Sequence, residues 1–274
     1  MNVALWKKAW GEVRITLPCF MLLMFGFQVL HSWVASQLDL RLIEHVLRAM
    51  PVFLQRVLPV SIEALSSYTG RLAIGYDHPL VAIGCAFWAI SRGSDAVSGP
   101  LNRGTLEMVL AQPVRRVEVL ASNAAFATLG AALMAAACWL GTLLSVATIP
   151  KLQSVEGGQF GYCAVNLFAY TFFLAGLATL VSSADRYRSR TIGIMAGLYV
   201  MAIVLKLVGR MADGYQWALY GSFLAPYEPQ RFVDPQYDPA ALAISYDVPL
   251  FVLGLAAFVV AAIIFNRRDL PAPL

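Results

Sequence analysis

The sequence predicts an all-α integral membrane protein of six transmembrane helices, with an N-terminal interfacial amphipathic helix and a short cytoplasmic helix between spans 2 and 3. Three observations predict it. Only 13% of the 274 residues are charged and 59% are hydrophobic, where an average soluble domain carries about 25% charged residues. Mean hydropathy is +0.67, and the apolar residues lie in long blocks rather than in amphipathic periods. Segments rich and poor in Lys and Arg alternate along the chain, as they do when successive loops lie on opposite faces of a bilayer.

Residues 1–13 interleave Val3, Leu5, Trp6, Ala9 and Trp10 with Lys7, Lys8 and Glu12. That pattern suits a helix lying in the cytoplasmic interface with its tryptophans at headgroup depth. Crossing about 30 Å of hydrocarbon takes about 20 apolar residues, and residues 15–35 supply the first span. This block is longer than the apolar region of a cleaved signal peptide and lacks a small-x-small site, so it is expected to be retained. Residues 40–58 space Ile43, Leu47, Met50, Leu54 and Val57 at helical intervals, with a kink at Pro51, and predict an amphipathic helix on the outer face.

The second span is expected over residues 79–97, with Arg92 and Asp95 at the interface. Its apolar part is short, but without it the Arg-rich segments would face opposite sides. The third, residues 119–149, is rich in Ala; the fourth covers 162–181; the fifth, 191–208, holds Gly193 and Gly197 at the small-x-x-x-small spacing that lets helices approach. Residues 211–246, rich in Tyr, Pro and Asp, read as an ordered external cap or loop, and the last span covers 248–265. Lys7, Lys8, Arg14, Arg92, Arg103, Arg115, Arg116, Arg186, Arg188, Arg190, Arg267 and Arg268 all fall on one face, which places both termini in the cytoplasm.

Several chemistries are excluded. Cys19, Cys85, Cys138 and Cys163 lie in or beside apolar blocks without a C-x-x-C pair, and His31, His45 and His78 show no metal-ligand spacing, so free thiols and no metal site are expected. No Asp or Glu sits centrally in an expected span, which argues against an ion-coupled relay and against an intramembrane hydrolase; no catalytic residue is assigned. Lys206 lies close enough to the outer boundary to snorkel. The glycines at 70 and 75 are followed by Tyr76 and Asp77, not by the Lys and Ser/Thr of a phosphate-binding loop. The longest expected non-membrane segment is shorter than the roughly 50 residues of a small domain, so residues 1–274 read as one transmembrane domain with no nucleotide-binding domain. No basic run exceeds two residues, and no nucleic-acid surface is expected. Phe168, Tyr170 and Phe173, on the fourth span, are candidates to line an apolar substrate path.

The most informative stretch links spans 2 and 3. Thr105 is placed to cap a short helix, Leu106, Val109 and Leu110 give it an apolar stripe, and Pro113 stops it. A short amphipathic helix between two spans is a docking element. In order and spacing, Gly93, Ser94, Asp95, Ala96, Ser98, Gly99, Gly104, Thr105, Leu106, Glu107, Leu110, Gln112, Pro113, Val114, Arg116, Glu118, Val119 and Leu120 resemble the membrane subunit of type-2 ABC transporters. This is the ABC-2 permease family, and the likeness is in particular to the branch that includes the nitrous-oxide-reductase maturation permease. The chain departs from that pattern at Pro100, Leu101 and Asn102, where the family usually has an acidic and a basic residue, and at Asn123, where a Lys is common.

The resemblance implies that the linking segment is a cytoplasmic coupling helix and that Asp95, Arg103, Gly104, Thr105, Leu106, Glu107, Leu110, Pro113 and Arg116 couple this chain to an ATPase. It implies an assembly of two permease copies, or a permease and a homologue, with two copies of an ABC ATPase subunit, among the lipids of the bacterial cytoplasmic (inner) membrane. ATP and Mg would be held by the ATPase, with no cofactor on this chain. The expected function is export of a hydrophobic or amphiphilic substrate. The alternative is mechanical or assembly work on an extracytoplasmic client or accessory protein.

Overall fold

A computed structural model describes residues 3–38, 67–211 and 214–268, and among them every regular element is helical. The outer helix expected over residues 40–58 lies outside the described residues. Six helical stretches are long and apolar enough to cross a membrane: Thr16–Gln37, Tyr68–Ser94, Arg116–Thr148, Gly157–Ala184, Arg188–Met211 and Pro239–Arg267.

Helix α1 (Val3–Val13) is amphipathic, and Leu5, Ala9 and Val13, one turn apart, are its buried stripe. Its Trp6 packs on Phe126 with ring centroids 5.3 Å apart, which ties α1 to the third span. Helix α2 (Thr16–Gln37) is the first span, and it turns Leu17, Met24, Gln28 and Ser32 inward while most of its surface stays uncovered.

The second span differs from its expected bounds, beginning at Tyr68 rather than at residue 79 and ending at Ser94 rather than at residue 97. It is built as α3 (Tyr68–Asp77) and α4 (Pro79–Ser94). Pro79 disfavours helical backbone at His78, which is extended at φ −61° and ψ 138°. The His78 ring caps α4 instead, accepting from the Leu80 N–H at 3.2 Å. Polar residues hide α3 from a hydropathy reading. Arg71 is nevertheless buried, because its guanidinium donates to the Ala35 and Leu38 carbonyls at the end of α2, at 2.9 and 3.0 Å.

After α5 (Ser98–Asn102) and α6 (Thr105–Leu110) comes α7 (Arg116–Thr148), the third span, whose 33 residues exceed what the bilayer requires. Its small residues serve close packing. A Cβ at Gly130 would lie 2.1 Å from the Trp88 ring of α4, and one at Gly141 would lie 2.8 Å from the Phe25 carbonyl of α2. Helix α8 (Phe160–Ala184) is the most enclosed span and lies against α4, α7 and the last helix. Helix α9 (Arg188–Met211) is the least enclosed, with only 17% of its apolar window buried. A Cβ at Gly193 or Gly197 would have no neighbour within 4 Å, so that small-residue pair packs against nothing among the described residues.

The segment after α9 is described from Gly214 on. It runs through 3-10 turns at Gln216–Gly221 and Pro229–Val233, then α10 (Pro239–Leu242) and a π-helical turn Ala243–Asp247, into α11 (Val248–Arg267). Tyr227 and Phe232 plug it into the core, Tyr227 stacking on Tyr170 at 4.3 Å. One apolar core runs through the bundle, and a second, smaller one lies where α5 and α6 meet α7 and α11. The C-terminal ends of α4, α8 and α11 share with α1, α5 and α6 an end of the bundle rich in arginine, here called the basic end; the capped end is the far end.

Candidate functional site

The basic end gathers the segment singled out by the sequence into one polar cluster centred on Asp95. Helix α4 stops there, the Asp95 N–H donating to the Ser91 carbonyl at 3.2 Å. Three guanidiniums surround its carboxylate: Arg103 at 2.9 Å, and Arg92 and Arg188 at 3.7 Å. Arg92 is itself buried and reaches Glu12 of α1 at 3.0 Å. Asn123 of α7 donates to the Asp95 carbonyl at 3.1 Å. Asp95 therefore joins α1, α4, α7, α9 and the turn before α6. Its low exposure keeps these attractions less screened than surface pairs.

Beside it stands a hydroxyl cluster. Ser182 of α8 accepts from the Val97 and Ser98 N–H groups at 3.2 and 2.9 Å, and the Ser98 hydroxyl lies 3.1 Å from that of Thr191 on α9. These bonds satisfy the backbone at the start of α5, where no side-chain cap is present. Gly99 has no room for a side chain, because a Cβ there would lie 2.2 Å from an Asp95 carboxylate oxygen.

Helix α6 starts differently from the expectation. Gly104, left-handed at φ 67°, occupies the N-cap, while Thr105 does not cap and its hydroxyl donates to the Pro100 carbonyl at 3.2 Å. A residue without Cβ suits that backbone. The apolar stripe faces the bundle: Leu106 is buried with Ala96, Val97, Leu120, Ala261 and Phe265, and Leu110 packs against the same group. The side of the segment turned away carries Met108, Gln112 and Pro113, with Met108 65% exposed. Glu107 is half-buried and makes no ion pair among the described residues.

Arg116 also has a role its sequence position did not reveal. Its guanidinium donates to the Phe265 and Arg268 carbonyls, closing the C-terminal end of α11 where cations are favoured. Arg268 in turn donates to the Ser183 and Asp185 carbonyls, both at 2.8 Å. Burial, then the neighbouring Arg186, lower the Arg268 guanidinium below its ordinary value while Asp185 opposes the shift. Between α1 and α6 lies a groove of about 530 Å³, lined by Leu5 and Lys8 on one side and by Met108, Val109, Pro113 and Val114 on the other.

The structure thus pairs Arg103 with Asp95, puts Gly104 and Thr105 at the start of α6, turns Leu106 and Leu110 inward, leaves Pro113 at the groove and sets Arg116 of α7 against the end of α11. Glu12, Ser182, Arg188 and Thr191 belong to the same cluster and were missed; an isolated serine at the end of an apolar span or a basic residue in a loop carries no signal of its partner. Asn123, a departure from the family pattern, is in contact with Asp95 itself.

The aromatic candidates on α8 are packed into the protein. Tyr170 is fully buried, its hydroxyl donating to the Ala82 carbonyl at 3.1 Å and lying 3.0 Å from the Tyr199 hydroxyl, Phe173 meets Phe223, and Phe168 lies among Phe172 and Phe251. No group of three or more His, Cys, Asp or Glu residues able to hold a metal occurs among the described residues.

A family model described as ABC-2 family transporter protein matches residues 14–270. No curated protein matches the chain.

Proposed function

The chain belongs to the ABC-2 transporter family, and from that premise we propose that its basic end receives the ATPase subunit and that the Asp95 cluster carries the ATPase's movement into the spans. The family implies an ATPase partner. The observation that carries the reading is the groove between α1 and α6, apolar and partly open, with Met108 standing exposed on its rim in a region otherwise rich in arginine. An exposed apolar residue among charged neighbours is the kind of anchor that a partner surface buries.

The mechanism follows from which parts are joined. Displacing α6 moves Leu106, and with it the small core under α7 and α11. The same displacement pulls Arg103 on Asp95, which is held in turn by α4, α7 and α9. Packed groups of this kind switch between discrete arrangements rather than deform continuously. We place the basic end in the cytoplasm and propose two permease copies with two ATPase subunits, the second copy covering part of the poorly enclosed α9. The substrate reading is outward movement of a hydrophobic or amphiphilic molecule. A second reading, mechanical work on an extracytoplasmic client, draws on the ordered far-end cap anchored by Tyr227 and Phe232.

The test is purification from native membranes in mild detergent, with mass spectrometry and an ATPase assay of what is retained. Wild type should carry a stoichiometric ATPase. Met108→Glu should lose most of it while eluting as a folded, monodisperse protein, since truncating or charging an anchor residue commonly lowers affinity by more than about tenfold. An ATPase retained equally by wild type and Met108→Glu would refute the groove as its seat.

A further inference from the structure

Two helices make up span 2, and the joint between them leaves main-chain groups for other parts of the molecule to satisfy. In an uninterrupted helix the carbonyls of Gly75 and Tyr76 would accept from the N–H groups four residues on, those of residues 79 and 80. Pro79 has no N–H, and the Leu80 N–H is taken by the His78 ring at 3.2 Å. Phe27 of α2 packs on that ring, with centroids 4.7 Å apart. Val81 likewise turns back to the His78 carbonyl, at 2.9 Å. The Tyr76 carbonyl is left to a donor from elsewhere.

The cap supplies it. The Tyr227 hydroxyl donates to the Tyr76 carbonyl, and the Gln230 amide donates to the Asp77 carboxylate at 3.1 Å, so two cap residues hold the last turn of α3. Tyr227 also stacks on Tyr170, whose hydroxyl donates to the Ala82 carbonyl of α4 at 3.1 Å. One cap tyrosine therefore bears on both sides of the joint. The α3 side is anchored independently of the cap: Gln28 donates to the Leu72 carbonyl at 3.2 Å, and the Tyr76 hydroxyl lies 2.9 Å from that of Thr142. Tyr76 and Tyr227 are both buried, and a buried carbonyl without a donor is costly.

We propose that the joint and the cap form a two-state latch, in which the Tyr76 carbonyl exchanges the Tyr227 hydroxyl for the Leu80 N–H. In the state described here the cap is seated and span 2 is interrupted. In the other, Leu80 bonds to Tyr76, α3 runs on into α4, and Tyr227 leaves its seat. Each state gives the carbonyl a donor and an arrangement between them does not, which makes the exchange discrete. The latch rests on the transport reading only for what drives it. Helix α4 is capped by Asp95, so a displacement of the Asp95 cluster reaches the joint through 16 residues of helix. The exchange itself is measured on this chain alone, so a latch that does not open and an ATPase that does not bind are separate results.

The chain carries its own reporter. Cys163 of α8 is buried against the cap, its thiol donating to the Pro229 carbonyl at 3.1 Å. The experiment uses the full chain with Cys19→Ser in a maltoside detergent, pulsed with N-ethylmaleimide, and reads modification of Cys163 by peptide mass spectrometry. Tyr227→Phe keeps the ring and removes only the hydroxyl; it should speed modification by about fivefold, the size of one net hydrogen bond. Pro79→Ala gives the Gly75 carbonyl an N–H and favours the uninterrupted helix. It should speed Cys163 by a similar factor although it changes no cap residue. His78→Ala frees the Leu80 N–H and should act in the same direction, which keeps a span 2 variant in hand where Pro79→Ala does not fold. Trp88→Phe removes a different bond of α4, the one to the Ala127 carbonyl at 3.1 Å, and should leave the Cys163 rate unchanged. A wild-type rate in Tyr227→Phe or in either folded span 2 variant overturns the latch. So does an equal gain in Trp88→Phe, which would mean general loosening of the bundle.

Discussion

Asp95 and Arg103 form one ion pair, yet their substitutions should differ. Asp95 is 12% exposed at its side chain and faces three guanidiniums, one of them the buried Arg92. Asp95→Asn leaves those charges with Glu12 as the remaining carboxylate and should cost about 3 kcal/mol, as removing one partner of a buried pair does. Arg103 is 45% exposed, and Arg103→Ala should cost no more than about 1 kcal/mol, the upper end for a solvated pair. Thermal unfolding of the two variants in one detergent checks the order; equal losses would mean that the cluster is not organised around Asp95. Asp95 and Arg103 were both legible in the sequence because they sit inside a spaced motif. Their partners Glu12 and Arg188 were not, because an ion pair between residues so far apart in the chain leaves no local pattern.

Among helices, the same residue type predicts opposite outcomes. At Gly176 on α8 a Cβ would meet the Gly254 carbonyl of α11 at 2.5 Å. Backbone cannot move aside as a side chain can, so Gly176→Ala should separate two spans and sharply lower the yield of folded protein. Gly197 on α9 has open space around it, and Gly197→Ala should leave the unfolding temperature of the isolated chain within a degree or two or raise it slightly, helix propensity favouring Ala over Gly. Fluorescence-detected size exclusion after a heating series distinguishes the two; a large loss in Gly197→Ala would reveal packing on that face. From the sequence alone the spaced glycines on α9 look like the packing motif and Gly176 looks ordinary. Spacing along one helix says which residues share a face, and only the neighbouring helix says whether that face is covered. The second span shows a related limit: Arg71 and Asp77 mask α3 in a hydropathy average, although backbone carbonyls at the end of α2 accept the buried guanidinium.

For the molecule as a whole, the segregation of arginine makes orientation testable. Met108 at the basic end and Tyr220 at the far end are 65% and 95% exposed. A cysteine at Met108, in a background with Cys19 replaced, should react with a membrane-impermeant maleimide only after the cells are opened, and one at Tyr220 should react in intact cells. Labelling of Met108→Cys in intact cells would invert the topology. Composition, apolar block length and basic-residue alternation determined by themselves that this is a six-span helical membrane protein, because crossing hydrocarbon demands a minimum apolar length and leaves that length written in the chain. The spaced motif after the second span likewise determined the family, which the match over residues 14–270 shows. Only the tertiary structure decided that Leu106 and Leu110 hold the segment between spans 2 and 3 to the bundle, that Arg116 closes the last span, and that Lys206 lines a cavity between α4 and α9. The physical reason is that helices surrounded by lipid are nearly uniform in hydrophobicity around their circumference. Which face meets a neighbour is set by shape and by the few polar groups that find partners across the bundle, and those partners are distant in sequence.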